Sequence, residues 1–274
     1  MAVSSTTDGE AFVRAVSEEL AALAEMIAQQ QPDLLPLDRS YASLDRVEDF
    51  YQACLEEATG ASASLESRLA CYVGATLAAS TGGRWEPPRT KSDLGRASIV
   101  GLPYLARAKF YPLDVVRNFK RTRSAGYLRD ATEIYDIPVR RALLAHLVVN
   151  SDAKLAALHF DLRDLLNRDP GALDGSADSL AVIEAALKQL LAANAPRDLL
   201  RRIETGAVLY LGQIVQCAVG GEWTLCEDPD DADLGQLQMH GWAPITVIRN
   251  VGPNSRPNLL QTVLDLVIKA RSNK

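Results

Sequence analysis

The side chains able to carry chemistry are few, and their spacing limits what they can do. Three histidines, His146, His159 and His240, occur in 274 residues. A helix-borne metal pair needs histidines four residues apart, or a His-Glu-x-x-His run. His146 and His159 stand 13 apart, and no such run exists. His240 lies in Gln238-Met-His-Gly-Trp242, with Cys226 and Asp228 upstream. A thiol, a base and an acid form a nucleophilic set only within hydrogen-bonding reach of one another, and nothing in this spacing enforces that. Gly-x-Ser-x-Gly elbows, P-loops and Gly-x-Gly-x-x-Gly loops are absent. The sequence therefore assigns no catalytic residue, no metal and no cofactor.

Charge is more informative. Glu227-Asp-Pro-Asp-Asp-Ala-Asp233 is the densest acidic run. A calcium loop counted from Asp228 would need an acid or Asn at its fifth position and Gly at its sixth, where Ala232 and Asp233 stand. The run is expected to be a solvated loop presenting Asp228, Asp230, Asp231 and Asp233. A basic stretch runs from Arg107 to Arg141, with nine cations against four acids, a net of +5. Arg117, Lys120, Arg121 and Arg123 crowd the end of a helix expected from Pro112, where cations suit the helix dipole. These acids and bases are the candidate partner-binding residues. A net charge of −6 and 6% aromatic residues disfavour nucleic acid as the partner, because bulk positive charge and stacking platforms are lacking.

Cys54, Cys71, Cys217 and Cys226 form no Cys-x-x-Cys pair, and a chain with 47% hydrophobic residues does not need disulfides. No run reaches the roughly 18 apolar residues of a membrane span. Residues 1–10 lack the basic and apolar regions of a secretory signal. These features predict a reduced, cytoplasmic protein with no membrane segment.

The elements that must position these residues repeat. A shift of 138 places the segment from Leu65 to Trp85 on that from Ile203 to Trp223, with identities at Glu66/Glu204, Tyr72/Tyr210, Gly74/Gly212, Gly82/Gly220, Gly83/Gly221 and Trp85/Trp223. Average residue usage predicts about one or two such matches. Upstream, Ser43-Leu-Asp-Arg-Val-Glu48 pairs with Ser179-Leu-Ala-Val-Ile-Glu184, and downstream Asp93-Leu-Gly95 is echoed by Asp233-Leu-Gly235. Leu65, Leu69, Tyr72, Val73, Thr76 and Leu77 follow the stripe of a helix with one buried face, as do Ile203, Ala207, Tyr210, Leu211, Ile214 and Val215. Gly74 and Gly212 interrupt those helices, which marks close approach by a backbone or a ring. The Gly-Gly pairs end the helices and turn the chain into extended segments, where Trp85 and Trp223 cover the helix.

Each half reads as helix, helix, Gly-Gly turn, strand, loop, strand, helix. The second strands are expected at Ile99 to Leu105 and Ile245 to Ile248, and the closing helices at Pro112 and Pro257. An added helix spans Asp8 to Gln30, capped at Thr7 or Asp8, with Phe12, Val13, Val16, Leu20, Leu23 and Ile27 on one side. Helices over Val139 to Asn150 and Ala153 to Asn167 precede the second copy. The expected fold is α+β and helix-dominated, a tandem duplication of a helix–helix–strand–strand–helix unit related by a pseudo-twofold. The first copy takes residues 1–130 and the second residues 131–274.

Tyr-x-Gly, seven residues, then Gly-Gly-x-Trp, with a strand and a Pro-initiated helix following, resembles in both halves an uncharacterised bacterial domain of unknown function. The matching residues are Tyr72, Gly74, Gly82, Gly83 and Trp85 in one half, and Tyr210, Gly212, Gly220, Gly221 and Trp223 in the other. An acid follows the helix glycine in that domain, whereas Ala75 and Gln213 stand here. The resemblance brings no catalytic residues. The expected function is a non-enzymatic protein-interaction module, such as a toxin-neutralising immunity protein or an adaptor. The alternative is an enzyme or small-ligand-binding protein using the cleft between the copies, built on Tyr104, Cys226, His240 and Trp242.

Overall fold

The computed structural model describes residues 5–57, 62–88, 96–123, 126–167, 173–193, 195–251 and 255–272. The chain divides into two units, one of Met1–Val139 with Glu227–Pro229, the other of Arg140–Cys226 with Asp230–Lys274. Helix dominates both, and among the described residues each holds one two-stranded antiparallel sheet. No helix among the described residues is long and apolar enough to cross a membrane.

In the first unit, α1 (Ser5–Gln30) leads through a short turn at Pro32–Leu34 to α2 (Tyr41–Glu56) and α3 (Ala63–Thr81). Ser40 and Ser62 start α2 and α3, each hydroxyl accepting the N–H three residues on, from Ser43 and Leu65. Such caps satisfy amides that have no partner within the helix. The centre of the unit is α3, buried at Leu69, Tyr72, Val73, Gly74, Thr76 and Leu77, with α1 and α4 packed along it. Gly82, at φ 72°, ends α3. Strands β1 (Arg84–Glu86) and β2 (Ser98–Val100) then pair, with Trp85 opposite Ile99. Ile99 also bridges to Phe110, just before α4 (Pro112–Thr122), and α5 (Tyr127–Glu133) closes against α2.

In the second unit, α6 (Ile137–Val149) and α7 (Ser151–Leu166) precede α8 (Ala177–Ala192) and α9 (Arg197–Val219). Ser176 caps α8 by accepting the Ser179 N–H. Strand β3 (Trp223–Leu225) pairs with β4 (Leu237–Met239), with Trp223 opposite Met239. Met239 bridges to Trp242, and α10 (Pro244–Ile248) and α11 (Leu259–Ser272) follow. The core gathers Leu158, Leu162, Ile183, Leu187, Tyr210, Leu211, Met239 and Leu260 around α9.

Several local expectations are corrected. Ile245–Ile248 is helical, because Pro244 at the first helical position fixes a helical φ and has no N–H to place. A short apolar run does not by itself separate a strand from a buried helical turn. Pro257 sits in a turn, and α11 starts at Leu259 after Asn258 at φ 59°. Thr7 and Asp8 lie inside α1, which begins at Ser5, and Val13 is exposed. Asp93, Leu94, Gly95 and Ser124 lie outside the described residues.

Candidate functional site

The shared tyrosines act as ties. The Tyr72 hydroxyl meets Ser43 Oγ at 2.6 Å and accepts the Arg39 N–H at 3.0 Å, while Ser43 Oγ donates to the Ser40 carbonyl. The Tyr210 hydroxyl meets Ser179 Oγ at 2.6 Å and accepts the Gly175 N–H, while Ser179 Oγ donates to the Ser176 carbonyl. Each tyrosine thus pins the loop entering the preceding helix. Burial pushes the Tyr72 hydroxyl above its ordinary pKa, so it is a structural partner and a poor acid. Asp38 and Asp174 finish the loops by accepting from Ser40 and Ser176, and those hydrogen bonds hold both carboxyls below the usual range.

The glycine–tryptophan pairs are steric. A Cβ on Gly74 would overlap the Trp85 ring and stand 2.8 Å from Pro112 Cγ. A Cβ on Gly212 would overlap the Trp223 ring in the same way. No ligand enters this account of the motif.

Two buried acids escaped sequence reasoning. Glu48, fully buried on α2, accepts the N–H groups of Gly126 and Leu128 at 2.6 and 2.7 Å, capping α5. Glu184 on α8 accepts the Leu260 N–H at 3.3 Å at the start of α11, and also binds Lys188 at 2.7 Å. The shared Ser-Leu-x-x-x-Glu spacing was the available signal. A third, Asp136, takes hydrogen bonds from the Tyr41 and Ser80 hydroxyls.

The alternative pocket residues are placed as follows. His240, exposed at φ 53°, meets the Gly220 carbonyl at 2.7 Å, and a Cβ on Gly221, itself at φ 99°, would overlap its ring. Cys226 is buried, with its backbone paired to Gln236 and Gly235. Trp242 packs on the second unit's core. Tyr104 belongs to the first unit and is 63% exposed. His240 is thus engaged with the backbone that ends α9. Among the described residues, no group of three or more His, Cys, Asp or Glu is arranged to hold a metal.

The candidate charged surfaces remain at the surface. Val115, Val116 and Phe119 bury one face of α4, and Arg117, Lys120, Arg121 and Arg123 are exposed on or just past the other. Lys120 lies 2.7 Å and Arg117 3.6 Å from Glu66 on α3. Arg121 and Arg123 bond the neutral amide oxygens of Asn118 and Gln52. No acid falls between residues 117 and 123, so cationic excess persists there. In the acidic loop, Asp228, Asp230 and Asp231 are exposed, and Asp233 accepts the Thr246 hydroxyl at 2.8 Å.

Comparisons with family models, with curated proteins and with solved structures return no match for this chain.

Proposed function

We propose that the two units are tandem copies of one helix–helix–strand–strand–helix design, and that the protein is a non-enzymatic module that docks an acidic protein partner on α4. The observation carrying the docking role is the run of four exposed cations, Arg117, Lys120, Arg121 and Arg123, on a helix whose opposite face is committed to the core. Like charges held this close repel one another, and an acidic surface relieves that repulsion while steering encounter. The corresponding place in the second unit offers α10, five residues long and followed by Arg249 alone. Docking would then use one copy only.

Common descent of the units is supported by matched contacts at matched spacing. Ser43 and Ser179 meet Tyr72 and Tyr210. Gly74 and Gly212 admit Trp85 and Trp223. Glu48 and Glu184 receive Leu128 and Leu260. Toxin neutralisation and adaptor function are roles of this kind. The four free cysteines accord with a reducing, cytoplasmic setting.

Cross-linking and affinity capture from the native host test the docking role. A stoichiometric acidic partner should be retained by the wild type, weakened by salt, and lost on R117E/R121E/R123E. Recovery of no such partner, or equal capture by the charge-reversed variant, overturns it.

A further inference from the structure

The first unit contains a cavity of about 240 Å³ between α1, α3, β1 and the start of α4. Phe12, Val16, Cys71, Trp85, Ala97 and Leu113 supply its apolar wall. The Phe12 and Trp85 rings meet edge to face at 6.0 Å and form one side.

The second unit explains why the space exists. Cys71 stands three residues before Gly74, and Leu209 stands three before Gly212. Ala97 stands two before Ile99, the partner of Trp85, and Leu237 stands two before Met239, the partner of Trp223. Two leucines therefore occupy in the second unit the places of a cysteine and an alanine in the first. Around Trp223 those leucines form an apolar cluster with Leu143, Leu144 and Leu147 of α6. What apolar side chains fill beside Trp223 is left open beside Trp85.

The chemistry of the wall defines the occupant. Its charged groups are already matched: Glu19 accepts from Arg68 at 3.1 Å, and Arg96 bonds Asp114 while its guanidinium lies 4.6 Å over the Tyr111 ring. A charged ligand would lose solvation without gaining a free counter-charge. Burial, with Glu19 nearby, pushes the Cys71 thiol up to about 11, so it stays protonated and captures nothing covalently. Ser67 donates to its own helix at Ala63. The size is set by volume, since a dry cavity of about 150 Å³ accepts benzene.

We infer that this cavity is a reversible binding site for a neutral aromatic compound of about two fused rings, stacked against Trp85 and Phe12. It lies wholly within the first unit and is independent of the docking face on α4.

Ligand-observed ¹⁹F NMR on the full chain tests this with 5-fluoroindole as the probe. The line should broaden and recover on adding indole, and indole-3-acetate and tryptamine should compete about tenfold more weakly or worse. Ala97→Leu, and separately Cys71→Leu, install the second unit's residues and should weaken binding about tenfold or more by filling the space. Circular dichroism verifies that each variant folds, and Leu237→Ala serves as a control that keeps binding. If both filling variants unfold, intermolecular NOEs from the probe to the Trp85 ring in the wild type decide the matter. No broadening at millimolar protein, binding undiminished in folded A97L and C71L, equal competition by the charged analogues, or NOEs to another tryptophan would each overturn the assignment.

Discussion

Trp85 occupies the volume that any side chain at position 74 would need. Its ring and Pro112 both crowd the place of a Cβ on Gly74, so one glycine lets α3, β1 and α4 meet. Ala is the better helix former by about 1 kcal/mol, yet overpacking costs about 1–3 kcal/mol. We expect Gly74→Ala to lower unfolding free energy by about 1–2 kcal/mol in denaturant titrations. Introduced into a Trp85→Ala background, the same change should cost less, because the ring contact is gone although Pro112 Cγ still stands 2.8 Å from the new Cβ. A stable single variant in the presence of Trp85 would contradict the packing account.

Glu48 is fully buried and answers two backbone donors. Glu48→Gln keeps the shape but presents an amide N–H₂ to one of them. Leaving a buried donor without an acceptor costs about 1–3 kcal/mol. Hydrogen exchange at the Leu128 amide should accelerate in proportion to that loss, and an unchanged rate would refute the capping role.

Acid should loosen the loops that enter α2 and α8. The Asp38 and Asp174 carboxyls are held below their ordinary value of 3.8, first by the side-chain hydrogen bonds from Ser40 and Ser176. A depressed pKa adds stability above the unfolded value, and that stability disappears as pH falls through the folded value. Melting temperature should therefore drop as pH goes below about 4, and the drop should be shallower in D38N/D174N. A double variant with an undiminished acid slope would remove these carboxyls from the explanation.

Alkali acts through the tyrosines with the opposite sign. Burial raises the Tyr41, Tyr51, Tyr72 and Tyr135 hydroxyls above 10.0 or their ordinary range. A raised pKa contributes stability that is complete below the unfolded value and lost as pH rises through the folded one. Absorbance at the phenolate band should show these four ionising only with unfolding. Smooth ionisation of these four tyrosines in the folded chain would contradict their burial.

The helical frame was legible because α3 and α9 combine an apolar stripe with punctuation by Gly82 and Gly220. The sheets are short enough that period-two patterning carries little information, and α10 shows the result, since its Pro244-Ile-Thr-Val-Ile run suits a strand as well as a helical turn. Glu48 and Glu184 resembled surface acids on helices. Their partners lie 78 and 76 residues away in the chain, and no local spacing rule reaches that far. Charge clusters on α4 were visible as composition, whereas the cavity beside Trp85 depends on side-chain volumes at Cys71 and Ala97 that only the packed fold brings together.

The carboxylates capping α5 and α11 bear on how the polypeptide matures as it leaves the ribosome. Until α5 emerges, Glu48 on α2 has neither the Gly126 nor the Leu128 amide to receive, and until α11 emerges, Glu184 on α8 has Lys188 of its own helix but not the Leu260 amide. Each unit therefore gains these backbone hydrogen bonds only once the helix they cap has been made.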